Sequence, residues 1–216
     1  MNLIIDAGNT NVKLAIFKKS EIIHLESVEV SLFVASVKKI FEHFPKVRSA
    51  IVSCVGSLSK EQMNVVAVFC DLYELSHTSK VPFKNSYASP QTLGVDRLAL
   101  ATAAFYTNPH QNNLIIDAGT CITYDMLNDF DEYLGGAISP GVQMRYNAMH
   151  YQTAKLPLLE KKELLDYIGN TTEKCLHSGE VNGISLEIDG FIAQYQSRFQ
   201  DLTVILTGGD TLFLSK

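Results

Sequence analysis

Residues 3–17 read LIIDAGNTNVKLAIF and residues 114–127 read LIIDAGTCITYDML, so the six letters LIIDAG recur about halfway along a chain of 216 residues. In each copy an apolar strand runs into Asp, Ala, Gly and a Thr-containing turn, and a second apolar strand leads away. That pattern predicts a β-hairpin with polar chemistry at its tip. A single recurrence this far apart predicts a duplicated domain rather than a solenoid. Two similar halves facing each other would place Asp6 and Asp117 on opposite walls of one cleft.

Around the first copy, Gly8, Asn9, Thr10 and Asn11 supply residue types that tolerate unusual backbone angles. Strands are predicted over 2–6, 12–18 and 21–30. Ser31 then caps a helix with Leu32, Val34, Val37, Ile40, Phe41 and Phe44 at helical spacing, closed by Pro45. A strand over 50–55, a helix from Ser59 to Phe69 and a strand over 72–75 follow. The stretch 76–94, with Pro82, Asn85, Tyr87 and Pro90, reads as a long loop, which in a compact domain points to function or disorder. GVDRLALATAAFYTN, from Gly94 to Asn108, predicts a helix over 95–106 with Asp96 and Arg97 in its first turn. Asn108 and Pro109 mark the boundary, giving domains 1–110 and 111–216.

Around the second copy, strands are predicted over 114–117, 122–127 and 133–139, and a helix from Pro140 and Gly141 to Gln152. One long helix is predicted from Asn170 to about Phe199. Its glycines at 179, 183 and 190 read as close-packing contacts with another helix, since each costs a helix about 1 kcal/mol relative to alanine. A strand over 204–206 leads into Thr207, Gly208, Gly209 and Asp210.

Composition narrows the function classes. With 46% apolar and 19% charged residues and no biased tract, the chain reads as a globular enzyme or binding protein. No apolar run reaches the length of a membrane span, and MNLIID lacks the features of a signal peptide, so a cytoplasmic protein is expected. Cys54, Cys70, Cys121 and Cys175 have no metal-ligand spacing, and the histidines form no HExxH pair. A formal charge of −5 argues against a nucleic-acid surface.

The hairpin tip suits phosphate. Successive backbone N–H groups in a tight glycine turn form an anion-accepting concavity, and a carboxylate at the strand end can hold Mg²⁺. The plainer reading is that Asp6 and Asn9 only satisfy the turn's own backbone. No GxxxxGK[ST] segment and no strand-following GxGxxG occurs, which removes the P-loop and argues against a Rossmann site. The duplicated hairpin resembles the acetate and sugar kinase, Hsp70 and actin superfamily. The fold this implies is α/β: two tandem duplicated domains of RNase H-like (actin-like ATPase) topology, each with a mixed five-stranded sheet, around a central cleft that closes on ATP.

Further stretches narrow the resemblance to the type III pantothenate kinase family. They are DAGNTNVK at 6–13, Tyr87 ahead of GVDR at 94–97, IDAGTCIT at 116–123, GGAISPG at 135–141, Thr172 ahead of Gly179, and TGGD at 207–210. The resemblance implies that Asp6, Ala7, Gly8, Asn9, Thr10, Asn11, Val12 and Lys13 form the ATP phosphate loop, with Mg²⁺ at Asp6. It implies nucleotide contacts from Thr120, Gly208 and Gly209, and a monovalent cation, K⁺ or NH₄⁺, at Asp117. Asp96 becomes the general base, and Tyr87, Gly94, Val95, Asp96, Arg97 and Thr172 contact pantothenate. The activity implied is phosphorylation of the primary hydroxyl of pantothenate, the first step of coenzyme A synthesis, by a homodimer. The family normally continues past TGGD with a helix and a further apolar segment, so the expectation is either that this sequence ends early or that its second domain is trimmed.

Local physics is compatible with these roles. An ionised Asp96 can orient a hydroxyl and accept its proton, as phosphoryl transfer requires. As a helix-start charge alone it would be worth about 0.3 to 1 kcal/mol. That reading leaves Arg97 unexplained, because a cation at the same end needs an anion nearby. Thr172 alone would read as a helix cap and Tyr87 as a packing residue. Gly135, Gly136 and Gly141 fit close packing as well as ligand contact, and Cys121 reads as packing. The rival readings are a kinase of this fold for another hydroxyl compound, such as a sugar, and a non-catalytic nucleotide-binding regulator.

Overall fold

The computed structural model describes residues 1–8, 11–55, 58–163 and 166–215. The chain forms two compact units that interleave in sequence: Met1–Val81 with Ser89–Ala99, and Pro82–Ala88 with Leu100–Lys216.

In the first unit, β1 (Asn2–Ala7), β2 (Val12–Lys18), β3 (Glu21–Val28), β4 (Ser49–Cys54) and β5 (Asp71–Glu74) make one mixed sheet in the order β3-β2-β1-β4-β5. β1 pairs antiparallel with β2 and parallel with β4. Alternation along β1 buries Leu3, Ile5 and Ala7, and β2 adds Val12, Leu14 and Ile16 to the same core. Helix α1 (Phe33–His43) supplies Phe33, Val37, Ile40 and Phe41, and α2 (Lys60–Phe69) supplies Val66. Ser59 caps α2 in a reciprocal pair with Gln62: the Gln62 N–H donates to Ser59 Oγ at 3.2 Å and the Ser59 N–H to Gln62 Oε1 at 2.9 Å. Ser31 makes no such cap. A 3₁₀ turn over Val30–Leu32 precedes α1, Leu32 sits at the cap position, and the Ser31 hydroxyl donates to Glu29.

In the second unit the order is β10-β7-β8-β9-β6, built from β6 (Lys84–Asn85), β7 (Asn113–Ala118), β8 (Cys121–Leu127), β9 (Glu132–Pro140) and β10 (Thr203–Thr207). The repeated hairpin β7-β8 continues into β9 as β1-β2 continues into β3, and β10 takes the parallel position beside β7 that β4 takes beside β1. The fifth strands differ. β5 extends the first sheet beyond β4, whereas β6 adds to the opposite edge of the second, beside β9. The stretch read as a long loop therefore carries a sheet edge, which no local pattern signals, because its partners Glu132 and Tyr133 lie far along the chain.

Helix α3 (Val95–Thr107) begins in the first unit and ends in the second, and α4 (Val142–Gln152) follows β9. The expected single helix from Asn170 consists of α5 (Thr172–His177), a π turn over Ser178–Asn182 and α6 (Gly183–Gln196). A Cβ on Gly179, Gly183 or Gly190 would meet nothing within 4 Å among the described residues, so these glycines make no close helix contact within the chain. A short α7 (Thr211–Leu214) follows the TGGD turn. Among the described residues no helix is long and apolar enough to cross a membrane.

Candidate active site

At the C-terminal end of β1, Asp6 stands opposite Lys13 in the β1–β2 register, and their charges approach to 3.8 Å. Both side chains are about half exposed, at 47% for Asp6 and 54% for Lys13, so each can take a further partner. Alternation turns Ala7 and Val12 into the core, and Asn11 outward. The Gly8 N–H donates to the Asn11 carbonyl at 3.1 Å and closes the turn. Asn9 and Thr10, expected in the phosphate loop, lie outside the described residues. Burial raises the pKa of the Asp6 carboxyl; the Lys13 ammonium opposes that shift, and the charge of Asp96 adds to it. Two carboxylates of the first unit thus feel each other.

Asp96 lies in the first turn of α3 and is half-buried, and its Oδ1 accepts the Arg97 backbone N–H at 2.8 Å. The carboxylate does serve the helix end. It is folded back so tightly that a Cβ on Gly94 would lie 2.4 Å from Oδ1. Gly94 is therefore the residue whose lack of a side chain admits this rotamer of Asp96. Arg97 is 5% exposed, and Val95 is half-buried at the same turn.

In the second unit, β7 ends at Asp117 and Ala118, and Gly119 and Thr120 form the hairpin tip, with Thr120 exposed. Gly208 has φ +100°, and a Cβ there would lie 2.3 Å from the Ala118 carbonyl oxygen and 2.5 Å from Asp117 Oδ1. The TGGD turn is thereby pressed against the end of β7, and the Asp210 N–H donates to the Ala118 carbonyl at 2.9 Å. A Cβ on Gly209 would meet nothing within 4 Å among the described residues. Lys161 pairs with Asp210 and lies over the Phe213 ring.

Tyr87, beside β6, stands 6.3 Å from Tyr133 by ring centroids, and its backbone N–H donates to Asn85 Oδ1 at 3.0 Å. Gly135, at φ +86°, lies directly under it: a Cβ there would approach the Tyr87 ring to 2.8 Å. Gly136 serves strand pairing, since its Cβ would overlap the Tyr124 carbonyl oxygen. Thr172 is exposed at the start of α5. The cap of that helix is Thr171, whose hydroxyl accepts the Lys174 N–H at 3.2 Å, so capping does not account for Thr172.

Among the described residues no three His, Cys, Asp or Glu side chains converge as a metal cage. A divalent ion at Asp6 would therefore take one carboxylate from the protein and the rest of its oxygens from phosphate and water, which is how Mg²⁺ is commonly held. The half-exposed Asp6 carboxylate fits that role. Asp117, beside the positive-φ turn at Gly208, presents the hard oxygen chemistry that an alkali cation takes. Sequence reading passed over Arg145 and Glu187, which meet across 42 positions at 2.6 Å and have no signal in either local stretch.

The family model for type III pantothenate kinase matches residues 2–194. A type III pantothenate kinase of Flavobacterium johnsoniae is 44% identical over 216 residues, covering 100% of this chain and 88% of its own. That of Christiangramia forsetii is 45% identical over 215 residues, with 100% and 88% covered. Among solved structures, a conserved Baf family protein of Campylobacter jejuni, described as a transcriptional activator, superposes with a TM-score of 0.63 at 22% identity, covering 98% of this chain and 85% of its own. The ethanolamine utilization protein EutJ of Carboxydothermus hydrogenoformans gives a TM-score of 0.51 at 13% identity, with 99% and 77% covered. These two likenesses concern the fold alone. With the family match running through both hairpins and GVDR, the chain belongs to the type III pantothenate kinase family.

Proposed function

We propose that this protein transfers the γ-phosphoryl group of ATP to the primary hydroxyl of pantothenate, giving 4′-phosphopantothenate for coenzyme A synthesis. The family match over residues 2–194 carries this reading. In the reaction the hydroxyl oxygen forms a bond to the γ-phosphorus, the bond from that phosphorus to the β,γ-bridging oxygen breaks, and the hydroxyl proton goes to a carboxylate. Asp96 is that carboxylate, held by Gly94 and the Arg97 N–H in one rotamer at the start of α3. Lys13 and the Gly8–Asn11 turn meet the phosphates, and Asp6 holds the metal. Mg²⁺, when bound there, neutralises charge on the phosphate oxygens. Thr120, Gly208 and Gly209 contact the nucleotide, and Asp117 takes K⁺ or NH₄⁺.

Tyr87, Gly94, Val95, Arg97 and Thr172 contact pantothenate, with the Arg97 cation suited to an anionic group. The proposed functional division falls at residue 110, one repeated hairpin to each half. A cytoplasmic homodimer is the assembly proposed, with the open glycine face of the π turn and α6 as the contact. Measuring ADP release with pantothenate and with a panel of sugars tests the activity. Turnover with pantothenate is expected; turnover with sugars and none with pantothenate overturns the reading.

A further inference from the structure

The second hairpin tip does not stand on its own strands alone. Gly141, which opens α4, donates its N–H to the Thr120 carbonyl at 3.1 Å, and a Cβ there would lie 2.2 Å from the Gly119 carbonyl oxygen. The tip therefore rests directly on the link Ser139–Pro140–Gly141, where β9 passes into α4. That link is held from beneath by charge. Arg145, one turn into α4, donates from Nε to the Pro140 carbonyl at 2.9 Å and from its terminal nitrogen to Glu187 Oε2 at 2.6 Å. The other oxygen of Glu187, on α6, accepts from the Ser139 hydroxyl at 2.5 Å and from the Tyr124 hydroxyl at 3.1 Å.

Every contact of this clamp closes on the link or on the strand below the tip. Arg145 and Glu187 are only 20% and 24% exposed, so solvent competes weakly for them. Burial and the neighbouring Glu187 charge push the Tyr124 hydroxyl pKa up, keeping it a donor. Burial alone would raise the pKa of Glu187, but the hydrogen bonds from Ser139 and Arg145 outweigh it and hold the carboxyl below its ordinary range. The carboxylate is thus ionised and saturated with donors.

We infer that Glu187, acting with Arg145 through Ser139, Pro140 and Gly141, is a positioning residue for the nucleotide contact at Thr120. The inference rests on the ATP-dependent reading of the site. Glu187→Gln keeps the shape and one acceptor oxygen, enough for Ser139 and Tyr124, but removes the charge and puts an N–H donor in place of the oxygen that holds Arg145. Misplacing a contact by about 1 Å costs up to about 10²-fold, so Glu187→Gln should raise the KM for ATP about tenfold, leaving the KM for pantothenate within about twofold. Arg145→Lys, which keeps the charge but loses the fork, should give an intermediate rise.

Steady-state kinetics on both full-length variants and the wild type, with a thermal melt of each, make the test. A selective rise in the ATP KM in both variants, at temperatures where each is folded, supports the inference. Equal changes in both KM values, or a lower melting temperature with neither KM changed, make the clamp merely structural and overturn it. Should Glu187→Gln fail to fold, the Arg145→Lys kinetics decide by the same criterion. A wild type that does not phosphorylate pantothenate defeats the proposed function instead, and that result is distinct from an active wild type matched by its variants.

Discussion

Asp96 and Asp6 do different work with the same functional group, and substitution separates them. Asp96→Asn keeps the side-chain oxygen that accepts the Arg97 N–H but cannot take a proton. The expected result is a kcat lower by at least about 10²-fold with nucleotide affinity nearly intact, checked by turnover and by titration with a fluorescent nucleotide. Asp6 carries a cost to the fold. Its pKa is raised, chiefly by burial, so between the ordinary carboxylate value and the raised one the folded state binds more protons than the unfolded state. Stability attributable to Asp6 therefore falls as pH rises through that window, and at neutral pH the ionised group is a net liability. In protein without ligands, Asp6→Asn should raise the melting temperature at pH 7, and the difference should shrink as pH falls below about 4, where the carboxyl becomes protonated in both states. The same variant should lose activity, a trade expected of a carboxylate kept for a metal. Melting curves across that pH range check the sign.

At the scale of elements, the decisive devices are places where a strand admits something other than a strand. β9 carries an irregularity in its register opposite Met126 and Leu127, and Gly135 beside it takes φ +86° to pass beneath the Tyr87 ring. Alanine there is strained by its backbone as well as by the ring, at roughly 1–3 kcal/mol. Gly135→Ala should displace Tyr87 and raise the KM for pantothenate about tenfold while the KM for ATP stays put, if a displaced contact costs what misplacement usually does. Equal shifts in both would separate Tyr87 from the acceptor site. The helix start at Ser59 was readable because its cap acts within four residues, and Ser31 failed as a cap because Val30–Leu32 winds into a 3₁₀ turn before α1 begins.

At the scale of the whole molecule, the glycines of the π turn and α6 ask what covers them. On a solvated face, Gly183→Ala would stabilise the helix by about 1 kcal/mol. Against a second copy of the chain, as proposed, the added methyl must lower the melting temperature and weaken its dependence on protein concentration. Light scattering and melts at several concentrations read both effects. The same scale divides what could be read from the chain by itself. The repeated LIIDAG hairpins, the helix behind GVDR and the turn at TGGD were legible, because alternation, helical spacing and turn residues act over a few positions and the hydrophobic effect then dictates which face is buried. The sheet edge at Lys84–Asn85, the seat of Tyr87 on Gly135 and the clamp of Arg145 with Glu187 were not, since each joins residues some forty to fifty positions apart. Neither partner of such a pair is marked locally; only packing brings them within hydrogen-bonding range, so the tertiary structure alone decided them.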